Sequence, residues 1–157
     1  MKKQSFLSKL KKLGRLELVE PSDEMRNSYL EKSRNSLRAS RLLSASNLIE
    51  ESISMAYYSM YHCLLALMFK CGIKCENHAG NILILRDIFK EPGLYRLISN
   101  AKEERIDKQY YIDFEASKED AEKLITSAQD FTTKIKLIIE AITSEDTNNI
   151  RKKITAL

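Results

Sequence analysis

Two histidines, His62 and His78, are the only side chains whose ordinary titration lies near neutral pH. Either could take or give a proton there. His62 sits beside Tyr61 inside an apolar helical run and reads as a hydrogen-bonded packing residue. His78 follows Glu76-Asn77 and opens a helix, so it reads as a helix-end or pocket-lining residue. Neither has a context that pairs it with a nucleophile, so no Ser/His/Asp triad is indicated, and there is no Gly-rich phosphate loop. Cys71, Cys75 and His78 lie close in sequence, with Cys63 two turns earlier. Their spacing does not form two paired knuckles, and Cys63 lies in an apolar run, where a free thiol behaves as a small hydrophobe. No metal or other cofactor is expected. Tyr57, Tyr58 and Tyr61 recur at helical spacing, which favours core or interface packing over a base-stacking platform.

These residues depend on the stretch Ile53–Lys70, ISMAYYSMYHCLLALMFK. Ile53, Tyr57, Met60, Leu64 and Met68 form a helical stripe, widened by Ala56, Cys63 and Leu67 on one side and Tyr61 and Leu65 on the other. An ordinary surface helix shows one apolar face. This one is apolar over most of its circumference and must be covered on several sides, by its own chain or by a second copy. The apolar run is too short for a membrane span, so no membrane partner is expected.

The remaining elements follow from caps and periodicity. Residues 4–13 could form a short basic helix, either a nucleic-acid arm or a partly ordered leader. Leu16–Glu20 is too short to support a sheet, and Ile73–Asn77 reads as a loop. Ser22 is an N-cap with Asp23 and Glu24 behind it. The helix it starts has Met25, Tyr29, Ser33, Ser40 and Leu43 on its inner face and a turn at Ser44–Asn47. Gly72 is a left-handed C-cap. A helix spans His78–Phe89, Pro92-Gly93 breaks it, and Leu94 starts another that reaches towards Tyr110. Ser117 begins a long helix to about Thr143 with an acidic variant of the capping box. Ile150–Leu157 is expected to fray. The division is a leader at 1–20, a bundle at 21–143 and a tail at 144–157.

Composition agrees with an all-α fold. The chain has 157 residues, enough for one domain with a core, but four Gly and two Pro offer little turn chemistry for a β-sandwich. A net charge of +4 neither demands nor forbids RNA. The N-terminal lysines precede no apolar signal core, and three cysteines are an odd number, so a reduced, cytoplasmic protein is expected.

Ala56–Gly80, AYYSMYHCLLALMFKCGIKCENHAG, resembles the signature of the HEPN domain (higher eukaryotes and prokaryotes nucleotide-binding). LVEPSDEMRNSYLEKSRNSLRASRLL looks like that family's first helix, and ASKEDAEKLITSAQDFTTKI like its last long one. The resemblance covers about residues 13–140. It implies an up-and-down bundle of four to five main helices, usually a symmetric homodimer. It also implies a choice of roles: a metal-independent endoribonuclease, the partner of a nucleotidyltransferase in a toxin–antitoxin pair, or a non-catalytic adaptor.

The family's ribonuclease motif is an Arg, a short spacer and a His. Arg105 aligns with the Arg, but Tyr110 occupies the His slot, followed by Tyr111 and Ile112. A phenol, with a reference pKa near 10, is a poor general base. Arg105 could still hold a phosphate through its planar fork. The alternative is a surface ion pair with Glu103, Glu104 or Asp107. In toxin-type relatives a Tyr beyond the motif His accepts AMP from the partner enzyme. Tyr110 or Tyr111, near Arg105 and Lys108, resembles that arrangement in part. The expectation is a catalytically degenerate or weakly active module, with Arg105, Tyr110, Tyr111, Lys108 and His78 as candidate site residues and RNA or a nucleotide as ligand.

Overall fold

The computed structural model describes residues 4–110 and 115–157, with the side chains of 107–110 outside the description. Among the described residues the chain forms α1 (Phe6–Lys12), β1 (Leu16–Leu18), α2 (Asp23–Ala45), α3 (Ile49–Lys70), β2 (Ile73–Cys75), α4 (His78–Asp87), α5 (Pro92–Tyr110), α6 (Lys118–Ala141) and α7 (Ser144–Thr155). It is an all-α bundle with one small two-stranded sheet.

The central helix is α3. Tyr57, Met60, Leu64, Leu67 and Met68 are fully buried along it. α2 packs along one side and α6 and α5 along others, and the start of α4 meets α3 at Tyr57 and Tyr61. Small residues let α2 come close. Ser33 Oγ donates to the Ser59 carbonyl at 2.6 Å and Ser40 Oγ to the Ser52 carbonyl at 2.7 Å. Ser52 Oγ returns a bond to the Ser40 carbonyl at 2.8 Å. Burying these hydroxyls without partners would cost about 1–3 kcal/mol each, so the paired serines set the α2–α3 register. α6 brings Ala121, Leu124, Ala128, Phe131, Ile135 and Ile139 to the core. Its N-cap is Ser117, with Asp120 closing the capping box.

Several local expectations are corrected. Leu16–Leu18 does pair, antiparallel with Ile73–Cys75, in the register Leu16↔Cys75, Glu17↔Lys74 and Leu18↔Ile73. No hairpin turn announces this ladder, because its strands lie on either side of α2 and α3. Phe6–Lys12 is an ordered helix: Ser5 caps α1, and Leu7 and Leu10 are buried. Residues expected to fray form α7, with a capping box between Thr143 and Asp146 and with Ile150 and Ile154 buried. Ser44 belongs to α2 and is buried, while Asn47 takes the left-handed turn position at φ 60°. Met25, assigned to an inner face, is exposed. Pro92 is the first residue of α5, where its missing N–H costs nothing.

Gly72 caps α3 at φ +68°, as expected, and it also serves a junction. Arg151 Nη1 donates to the carbonyls of Val19 at 2.8 Å, Cys71 at 3.1 Å and Gly72 at 2.9 Å. A Cβ at Gly72 would overlap the Val19 carbonyl oxygen and the Arg151 guanidinium. Gly72→Ala is therefore expected to destabilise the fold by about 2 kcal/mol or more, from left-handed strain plus the overlap. Urea unfolding measures it, and an unchanged midpoint would refute this account of the junction.

Candidate functional site

The spacing of Tyr57, Tyr58, Tyr61 and His62 places four rings along one side of α3. They extend into a longer chain of aromatic contacts. Phe69 stacks on Tyr29 of α2 at 5.5 Å, and Tyr29 meets His62 at 6.1 Å. His62 stacks on Tyr58 at 6.0 Å, and Tyr58 meets Tyr57 at 5.6 Å. Tyr57 stacks on Tyr61 at 6.1 Å, and Tyr61 on His78 at 3.9 Å, both between ring centroids. Tyr57 and Tyr61 are buried, as core packing predicts, whereas Tyr58 and His62 are half-buried and the edge of His78 is exposed.

Cations lie on this surface. Arg105 of α5 donates from Nη2 to Tyr58 Oη at 2.9 Å. Its guanidinium carbon lies 4.9 Å from the Tyr58 ring centroid and 5.7 Å from that of Tyr57, a cation–π seat. Arg105 Nε is buried and has no hydrogen-bond partner among the described residues. Lys102, one turn earlier on α5, shares that face by its i,i+3 spacing. Lys32 of α2 lies over Tyr29 at 5.0 Å. The expected alternative, an ion pair from Arg105 to Glu103 or Glu104, does not form; Asp107 lies outside the described side chains.

His78 is the first residue of α4, whose N-cap Asn77 accepts from the Gly80 amide at 2.8 Å. Its Nδ1 lies 3.2 Å from Tyr57 Oη. Tyr61 is fixed in turn by buried Asn81, which donates from Nδ2 to Tyr61 Oη at 2.9 Å and to the Cys75 carbonyl at 3.0 Å. Thus Tyr57 touches both His78 and Arg105, one through its hydroxyl and one through its ring face. Beside them an open groove of about 390 Å³ runs between α4 and α5, lined by Ala79, Ile82, Leu83, Tyr95 and Lys102 among others.

The electrostatics follow from burial and charge. Burial pushes the Tyr61 phenol up to about 12, and that of Tyr57 higher still, so both stay protonated. Burial of its stacked face, then Lys102 and Arg105, hold His78 below the usual histidine value. Burial, then Lys32 and His78, do the same for His62, whose Nδ1 lies 3.4 Å from Ser36 Oγ. Both imidazoles are therefore neutral at pH 7.

Of the sequence candidates, the structure brings Arg105 and His78 to one aromatic surface. Lys108, Tyr110 and Tyr111 lie outside the described residues, apart from the helical backbone of Lys108 and Tyr110. The sequence pattern assigns Tyr57 and Tyr58 to packing and does not single out Lys102. The i,i+3 spacing of Lys102 and Arg105 was the available signal; the aromatic seat required α5 to dock on α3. Cys63 and Cys71 are buried elsewhere in the core, and Cys75 is buried beside Asn81. Burial pushes Cys63 up to about 12 and Cys71 up to about 11, which makes both poor thiolates.

A family model described as HEPN domain matches residues 26–138. A protein of Methanocaldococcus jannaschii named "Putative toxin MJ0142" is 30% identical over 78% of this chain and 88% of its own length. A second from that organism, "Putative toxin MJ0605", is 27% identical over 72% of this chain and 87% of its own. A protein of Archaeoglobus fulgidus named "UPF0332 protein" is 32% identical over 57% of this chain and 74% of its own.

Both imidazoles should titrate below the ordinary histidine value of about 6.5. Because the folded state disfavours their charged forms, they contribute stability that is present above the unfolded pKa and lost as pH falls through about 6.5 towards the folded values. NMR titration of the ring resonances measures this, and Arg105→Ala should move the His78 midpoint upward. Midpoints at or above the ordinary value in the wild type would contradict the assignment.

Proposed function

We propose that this chain, which belongs to the HEPN domain family, is a toxin-type module that binds RNA through Arg105 and has at most weak cleavage activity. The observation that carries this reading is the seat of Arg105. Its guanidinium is held over Tyr57 and Tyr58, with Nε buried and Nη2 on the Tyr58 hydroxyl, so that its outer edge faces away from both rings' contacts. A planar fork in that state suits a phosphodiester, and the adjoining rings suit an unpaired base. The names of the Methanocaldococcus jannaschii relatives support a toxin–antitoxin role. The weak chemistry follows from Tyr110 in the His slot of the motif. We assign the antitoxin role to a nucleotidyltransferase partner, with Tyr110 or Tyr111 as its AMP acceptor, and we assign the active form to a cytoplasmic homodimer. No helix among the described residues is long and apolar enough to cross a membrane.

A second reading, an active metal-independent endoribonuclease with a displaced proton-transfer group, is favoured by one observation: His78 stands on the same tyrosine as Arg105. A purely structural adaptor is the remaining rival, and it requires no RNA affinity.

Fluorescence anisotropy with a single-stranded RNA oligonucleotide separates these readings. Binding should weaken as salt rises, and Arg105→Ala should weaken it by about tenfold or more, the loss of a charge-assisted contact. Absence of binding in the wild type would leave only the adaptor. Tyr110→His should raise cleavage, since a positioned acid–base group is worth about 10²–10⁴-fold.

Assembly is tested separately. Light scattering should give a dimer mass, and a clean monomer would remove the homodimer. Intact mass after co-expression with a nucleotidyltransferase should show an adenylyl gain. That gain should vanish in the Tyr110→Phe/Tyr111→Phe double variant; its persistence there would acquit both tyrosines.

A further inference from the structure

We infer that α1 is a second RNA-binding element, whose cations Lys9 and Lys12, with Arg15 just beyond the helix, take phosphates of the strand that Arg105 holds. The inference rests on the RNA-binding reading above and adds the surface along which the strand continues. Three observations carry it.

The first is where the positive charge lies. Residues 1–16 hold six of the 26 cations and no acid, which leaves 20 cations against 22 acids in the rest of the chain. The basic bias of the protein therefore resides in this short stretch, and a polyanion is the partner such a bias favours. Lys9, Lys12 and Arg15 are exposed and form no ion pair among the described residues. The acids of the adjoining ladder are already engaged: Lys74 holds Glu17 at 3.5 Å and Glu76 at 3.2 Å.

The second is that these cations stand on an ordered element. Ser5 caps α1, Leu7 and Leu10 are buried, and Lys11 Nζ donates to the Thr155 carbonyl. A solvated leader would need none of these contacts. With Leu7 and Leu10 turned to the core, helical spacing puts Lys9 and Lys12 on the outer side, about 5–6 Å apart between Cβ atoms. A surface ordered before binding loses less freedom when a strand arrives.

The third is position. Leu10 rests against Gly80, and the Arg15 carbonyl accepts from the Glu76 amide at 2.9 Å. Both contacts fall within two residues of His78, whose ring ends the aromatic chain on Tyr61. A strand that leaves Arg105 past His78 therefore meets the end of α1 next. α1 and β1 also precede residue 26, where the match to the HEPN domain model begins, so this element is an addition to the matched domain.

A lipid surface is the rival polyanion. It would use Phe6 and Leu13, 44% and 71% exposed, as well as the cations. Leu7 and Leu10 are taken up by the core, which leaves α1 little apolar face to enter a headgroup layer. An RNA strand needs the cations alone.

The test is fluorescence anisotropy with single-stranded RNAs of about four and about 16 nucleotides, the range of such sites. Wild-type protein, Arg105→Ala and Lys9→Gln/Lys12→Gln/Arg15→Gln are compared, with urea unfolding of each to confirm folding. The triple variant should bind the longer RNA at least about tenfold more weakly. Its log–log salt slope should be shallower by about 2, since each single-strand phosphate contact contributes about 0.7. It should bind the shorter RNA within about twofold of wild type, whereas Arg105→Ala should weaken both. Sedimentation with vesicles of an equal mixture of phosphatidylcholine and phosphatidylglycerol examines the rival. Vesicle binding that Phe6→Ser/Leu13→Ser removes, beside unchanged RNA affinity in the triple variant, would reassign the face to lipid. Wild-type affinity and salt slope in the triple variant would overturn the α1 element and leave the Arg105 reading intact. A loss in the triple variant with none in Arg105→Ala would overturn that reading and the shared strand with it, and absence of wild-type binding would overturn both.

Discussion

The constraint on which the structure depends is the circumference of α3. A helix with apolar residues on nearly every side cannot be left against solvent, because each exposed Leu or Met side chain forfeits about 1.5–3 kcal/mol of burial. α2, α5 and α6 are therefore recruited around it, with the start of α4 set against Tyr57 and Tyr61. The serine pairs of α2 show how this is done on the tightest side. Backbones approach only where hydroxyls replace larger side chains and find carbonyl partners across the contact. The cover is polar where it must be close and apolar where there is room.

The same requirement assembles the site. Tyr57 is buried because α3 must be covered, yet its hydroxyl and its ring face both have work left. α4 begins where that hydroxyl ends, and α5 lays Arg105 across the ring. A buried hydroxyl needs a partner and a half-buried guanidinium needs a polar or π contact, so each satisfies the demands of the other's neighbour. The price is a tuned imidazole: packing the face of His78 on Tyr61 disfavours its charge, and two cations on α5 push further.

Much of the bundle was legible because its signals are local. Ser22, Gly72 and Ser117 each mark a helix end through their own chemistry, and α3 announces itself by its apolar run. The β1–β2 ladder was not legible, because Leu16 meets Cys75 only after two long helices have folded back. α7 was overlooked although Thr143 and Asp146 form the same box as Ser117 and Asp120; its polar surface hid the two isoleucines that dock it. At the site, Arg105 and His78 were visible singly. Their meeting on Tyr57 depends on which face α5 turns to α3, and periodicity does not fix that choice. Arg105 does not pair with Glu103 or Glu104, because a tyrosine hydroxyl and two ring faces hold its guanidinium.

The Arg151 junction has a kinetic consequence. Its bond to Val19 spans 132 positions, and the bond from Lys11 Nζ to the Thr155 carbonyl spans 144. Closing loops of that size from a free chain costs about 4 kcal/mol in entropy, more than either contact returns. The seam between α1, β1 and α7 must then form late, after α2, α3 and α6 have brought its halves together. A late-forming seam is also the easiest to open without global unfolding. Leu10 of α1 rests against Gly80, which has no Cβ to obstruct it and lies two residues after His78. Breathing at the termini is thereby mechanically linked to the start of α4 and to the imidazole it carries.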